Sequence, residues 1–153
     1  MSITASGMYG LTLEKSLNAA IAFPTNGMES ETAVKGMLVL DAYTPNFDTH
    51  DFRDDVTANE ASGTNYTAGG IALTTTDLTI SSGVLTYDTA DPSWATSTIT
   101  NAMGLVAYFA RGGASSADEL LFLSDFVTAV STVAGTLLVQ VHSSGWWTHD
   151  YTP

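Results

Sequence analysis

The sequence predicts a mainly β fold, a β-sandwich or jelly-roll-like domain carrying one short N-terminal helix. Three observations predict it. From residue 36 onward, short apolar or Thr-rich runs are separated by Gly, Ser and Asp turns, the pattern of an all-β unit. Ser82-Gly83 joins two partly alternating runs, as a hairpin turn does. Helical spacing appears only near the N-terminus.

The elements follow in order. Residues 8–23, MYGLTLEKSLNAAIAF, put Leu13, Leu17, Ala20 and Ile21 on one apolar stripe, so a helix is predicted there, plugging one side of a sheet. Thr12 is its predicted N-cap, and Pro24 followed by Asn26-Gly27 stops it. GMLVLDAY (36–43) is a strand. Residues 44–70 are rich in acids and turn formers. Loops this long are functional or disordered. Disorder goes with few aromatics, yet Tyr43, Phe47, Phe52 and Tyr66 punctuate this region. It is predicted to be an ordered loop pinned by its rings and closed by the Gly69-Gly70 turn. IALTTTDLTIS (71–81) and GVLTYDT (83–89) form the hairpin. Trp94 follows the Asp91-Pro92 turn among small residues and is predicted to be core. GLVAYFA (104–110) and ELLFLSDF (119–126) are strands joined by RGGASSAD, and GTLLVQVHS (135–143) is the last apolar run. A tail, 146–153, closes the chain. No internal repeat and no linker appears, so residues 1–153 are predicted to be one domain.

Composition excludes several functions. Sixteen acids stand against four bases, for a net charge of −12. Lys15, Lys35, Arg53 and Arg111 are scattered, whereas a phosphate-neutralising surface needs clustered bases. Neither nucleic acid nor an anionic membrane surface is an expected partner. The absence of cysteine excludes disulfides, thiolate catalysis and Cys-ligated zinc. No secretory signal or membrane-spanning apolar run is visible, so a soluble, cytoplasmically made protein is expected.

No catalytic, cofactor or metal residue is assigned. The cluster Asp48, His50, Asp51, Asp54, Asp55 and Glu60 lacks the calcium-loop pattern and reads as a solvated loop whose acids cap turns. His50, His142 and His149 never fall at metal-ligand spacing. No nucleophile elbow and no phosphate loop occurs. The candidate site residues are instead partner contacts. Met8, Tyr9 and Leu11 lie in the N-terminal segment, Phe47 and Phe52 in the long loop, and Trp146, Trp147 and Tyr151 in an aromatic tail. Adjacent strand residues point to opposite faces. One of Trp146 and Trp147 is therefore expected inside and the other exposed or docked.

The wording of the long loop carries a resemblance. YTPNFDTH, then DVTANEASGTNYTAGG, is similar to a family of small structural proteins of tailed bacteriophages that includes capsid decoration, or cement, proteins. Three further blocks resemble the same family in the same order. They are YDTADPSWATSTIT (87–100), VAYFA with LLFLSDF (106–110, 120–126), and AGTLLVQVHSSG (134–145). The chain departs from it at Asn65, where relatives have glycine, in loop 111–119, and at both ends. The resemblance implies a non-enzymatic, β-sandwich-like virion component on the capsid exterior, partnered by the major capsid protein and by itself, with a trimer expected. A tail, neck or baseplate component, or a glycan-binding module using Trp146, Trp147 and Tyr151, is the alternative. The segment before Pro24 and the loop 44–70 are the expected contact parts, and deletion of residues 2–12 is expected to abolish head binding while leaving the fold intact.

Overall fold

A five-stranded antiparallel sheet forms the middle of the protein, and its central strand explains the unbroken apolar run near residue 105. The computed structural model describes residues 3–152. Along the chain lie β1 (Gly7–Met8), α1 (Gly10–Leu17), β2 (Val34–Leu40), α2 (Asp54–Thr57), β3 (Gly63–Thr64), β4 (Ile71–Ala72), β5 (Asp77–Ser81), β6 (Val84–Asp88), β7 (Ser93–Ile99), β8 (Ala102–Phe109), β9 (Leu120–Val130), β10 (Gly135–Leu138) and β11 (Trp147–Asp150). The large sheet has the order β1-β9-β8-β2-β4; two smaller ones have the orders β10-β7-β3 and β11-β6-β5. The protein is thus mainly β and sandwich-like.

Every residue of β8 is buried. Leu105, Ala107 and Phe109 join one core, together with Tyr87, Trp94 and Leu137 of the small sheets. Met103, Val106 and Tyr108 point the other way, into a second core with Ile3, Tyr9, Tyr43 and Val56. A strand covered on both faces has no polar alternation to show. The first face is covered by strands. The second is covered by the N-terminal segment and by residues 43–70, and that layer was not visible as an element in the sequence.

The hairpin forms as expected. Ser81 pairs with Val84, and Ser82 (φ 50°) and Gly83 (φ 81°) make a two-residue turn with both φ positive. The run 71–81 breaks into β4 and β5 around Thr75 (φ 52°). The run 135–143 pairs as strand only to Leu138.

The helix is shorter than predicted. It spans Gly10–Leu17 rather than 8–23. Met8 lies in β1, paired with Phe122. Tyr9 occupies the N-cap without a side-chain cap, and Thr12 is buried inside the helix. Asn18 ends it, its Oδ1 accepting the Ala20 N–H at 3.0 Å, and Ala19 turns to φ 58°. Ala20 and Ile21 therefore leave the stripe. Leu17 is 80% exposed and Leu13 also lies open, so this stripe plugs nothing. Eight residues make a marginal helix alone; Tyr9 and Thr12 anchor it. Of the segment 2–12, the described residues 3–12 are equally not separable from the fold, because Ile3 and Tyr9 are core and β1 pairs with β9.

Residues 43–70 are held by tyrosine hydroxyls and by an ion pair to a buried carboxylate. Tyr43 shares hydrogen bonds of 2.8 Å with the Tyr9 hydroxyl and with His50 Nδ1. The Tyr66 hydroxyl donates to Glu60 at 2.8 Å and accepts the Leu38 N–H at 3.0 Å. Glu60 also accepts the Gly69 N–H at 2.6 Å, and Tyr108 donates to the Gly69 carbonyl at 2.6 Å. Arg53 pairs with buried Asp118 at 2.8 Å. Gly70, at φ 70°, is required: a Cβ there would lie 1.9 Å from the Gly36 carbonyl oxygen.

Burial sets the titration of these rings. It pushes the Tyr43 hydroxyl up to about 12, against the pull of the Tyr9 hydrogen bond. It also pushes Tyr108 up to about 12, although Arg53 opposes it. Tyr9, Tyr66 and Tyr87 are raised too, chiefly by burial.

Candidate docking surfaces

The fold separates the eight residues predicted to touch partners. Tyr9 is completely buried, so it is a core residue and unavailable to a partner. Met8 and Leu11 are half-buried, Met8 against the first core. Phe47 lies on the Tyr9 ring, 5.3 Å between centroids. Phe52 is half-buried beneath the Lys15 ammonium, 4.8 Å from the ring centre.

In the tail, Trp146 and Trp147 both turn inward, contrary to the alternation expected of them. Gly145, at φ 79°, kinks the chain before Trp146, which lies outside the strand. Trp146 tilts onto Phe122, its N–H donating to Thr89 Oγ1 at 2.8 Å; Trp147 stacks on Tyr87. These indoles complete the core instead of forming an open aromatic platform. Tyr151 alone is more than half exposed, stacked on His149.

The apolar side chains left uncovered lie in three other places. The first is the N-terminal segment, where Leu13, Leu17 and Phe23 are exposed and Phe23 sets its edge on Phe109. The second is the far end of the β11-β6-β5 sheet. Leu78, Tyr87 and Trp147 form one cross-strand row, and Ile80, Leu85 and His149 the next row on the same face. The first row reaches the core; in the second, Ile80 is 67% exposed. The third is the end of β9 and the turn beyond it. Val127, Val130, Val133 and Leu138 are exposed there beside a groove of about 320 Å³ between β9 and β10. Val127 adopts φ 64°, an outlying conformation for a β-branched residue, with its N–H held by Asp125 Oδ1 at 2.8 Å.

Sequence reasoning expected contacts in the segment before Pro24, which holds Leu13, Leu17 and Phe23, and missed the other two places. Leu13 and Leu17 were assigned to a buried stripe. Val127, Val130 and Val133 recur every third residue among Thr, Ser and Ala, a spacing that breaks the alternation of a half-buried strand.

Around these patches the surface is acidic. Lys15 pairs with Asp51, Arg53 with Asp118 and Arg111 with Glu119, leaving Lys35 as the one base without an ion pair among the described residues. Two acids of the long loop, Asp55 and Glu60, are a turn cap and an anchor. Asp55 accepts the N–H groups of Asp51 (3.0 Å) and Phe52 (3.3 Å), and Glu60 holds Tyr66 and Gly69. Among the described residues no group of three His, Asp or Glu could hold a metal ion, and no helix is long and apolar enough to cross a membrane.

Compared with models of known families, with curated proteins and with solved structures, the chain matches none.

Proposed function

We propose that this protein is a non-enzymatic virion structural protein, a decoration protein that binds the outside of a tailed-phage head. The four ordered blocks of sequence resemblance motivate the reading. The observation that carries it is the set of apolar side chains left open on anchored elements, Leu13, Leu17 and Phe23 foremost, within an acidic surface. The mechanism is passive. A fully covered Leu contributes about 2 kcal/mol before the cost of association. Many copies on a lattice of major capsid protein add such increments, and cyclic self-association, as a trimer, matches local lattice symmetry. The net charge of −12 keeps free copies apart until those contacts form.

Cryo-EM of the particle that carries this chain tests the reading. Density over the capsid lattice at three-fold positions is expected, with Leu13 and Leu17 at the contact. Density confined to tail or neck would transfer the same docking role there. Absence from the particle would end the structural reading.

A further inference from the structure

Residues 137–141 line the groove between β9 and β10 without interruption. Their burial nevertheless alternates: Leu137 and Val139 point inward, Leu138 and Gln140 outward. A groove that touches every residue of such a stretch faces its backbone edge. β10 has β7 on one side and no strand on the other. On the β7 side the Val139 N–H donates to the Pro92 carbonyl at 3.0 Å and the Val141 N–H to Asp91 Oδ1 at 2.8 Å. Backbone groups alternate in direction along an antiparallel ladder. The N–H groups of Leu138 and Gln140 therefore point away from β7, toward the groove. The opposite wall is formed by residues 124–126, where β9 has run past its two-residue neighbour β1.

An open strand edge is a template for another strand, and proteins commonly guard it with Lys or Pro. Neither occurs in β10, and Leu138 on that edge is 53% exposed. The groove carries one carboxylate and no Lys or Arg. Asp125 uses Oδ1 to hold Val127, and its Oδ2 has no partner among the described residues. His142 at the rim accepts the Ser144 N–H through Nδ1.

We propose that this groove receives an extended strand of a different protein, added to the free edge of β10. The strand's apolar side chains cover Leu138 and Val130, and a Lys or Arg side chain faces Asp125. A second copy of this chain does not supply such a strand. Lys15, Arg53 and Arg111 are tied in ion pairs, and Lys35 sits in β2 between β4 and β8. Main-chain hydrogen bonds would give the affinity, and the alternate side chains the specificity. The inference names a kind of partner and does not rest on the head-binding reading.

The test is selection of a displayed random-peptide library on the full chain, followed by binding of the enriched peptides to variants. Peptides alternating apolar and polar residues around a Lys or Arg are expected to enrich. Leu138→Pro, which removes an N–H that the ladder does not use, should weaken them roughly tenfold. Asp125→Asn keeps an oxygen for Val127 and should weaken the basic peptides more than neutral ones. In the unmodified chain, bound peptide should slow amide exchange at Leu138 and Gln140, a readout that stands if Leu138→Pro fails to fold. The proposal is overturned if no peptide enriches, if enriched peptides leave those two amides exchanging as before, or if a folded Leu138→Pro binds them equally. Sedimentation showing a dimer that protects the same amides would overturn the choice of a different protein.

Discussion

Residues 43–70 look irregular in sequence and are tightly closed in the fold, whereas residues 126–140 hold the end of β9 and all of β10 and are left open. The first region holds only short pieces of regular structure. Its polar groups are nevertheless met from outside, by Tyr9, Tyr108, Asp118 and the Leu38 backbone. The second region has regular strands and four exposed apolar side chains. Regularity and completeness are thus different properties. A segment is finished when its donors, acceptors and apolar atoms have partners, whatever its secondary structure. Contiguous apolar surface left open in a well-ordered fold is where a partner would be sought.

The contrast predicts different responses to perturbation. The largest is expected in alkali. The hydroxyls of Tyr9, Tyr43, Tyr66 and Tyr108 titrate above the ordinary value of 10, with Tyr43 and Tyr108 at about 12. A folded pKa above the unfolded one contributes stability that is full below pH 10 and lost as pH rises through 12. Residues 43–70 should therefore come loose in that window, with tyrosinate absorbance appearing together with loss of near-ultraviolet circular dichroism. More than one tyrosinate per chain forming near pH 10 with the fold intact would remove the buried-hydroxyl account, since Tyr151 alone is exposed.

Gly70→Ala should come next. The left-handed φ and the Gly36 carbonyl together should cost more than about 4 kcal/mol, read as failure to fold or a collapsed thermal midpoint. Asp118→Ala leaves Arg53 and the Arg111 N–H without their carboxylate and should cost about 3 kcal/mol in urea unfolding. The smallest effect has the opposite sign and lies in the open region. Val127→Gly relieves a left-handed β-branched residue that is 79% exposed, and should stabilise the chain by about 1 kcal/mol. A loss of similar size would show that the valine side chain supports the fold.

The β architecture was legible because it is written locally. Ser82-Gly83 announces its turn, and the apolar run around Leu105 announces a covered strand. Trp94 lies in the core as its setting predicts. The N-terminal helix was overdrawn because periodicity records which residues share a face, not whether anything covers that face; Leu13 and Leu17 share one that stays open. The inward turn of both indoles depends on Gly145, whose conformation is fixed by close approach to the Tyr87 carbonyl, a contact distant in sequence. The groove was out of reach for the same reason. It exists because β1 is short and β10 is an edge, and strand order is not written in either segment.

Amide hydrogen exchange on the free chain tests the contrast between the closed and open regions most directly. The N–H groups of Arg53, Ala61, Gly69 and Gly70, each bonded within or onto residues 43–70, should exchange nearly as slowly as those of β8. Those of Leu138 and Gln140 should exchange quickly in a fold that is otherwise protected. Rapid exchange throughout 43–70, or strong protection at Leu138 and Gln140 without any partner, would contradict the account.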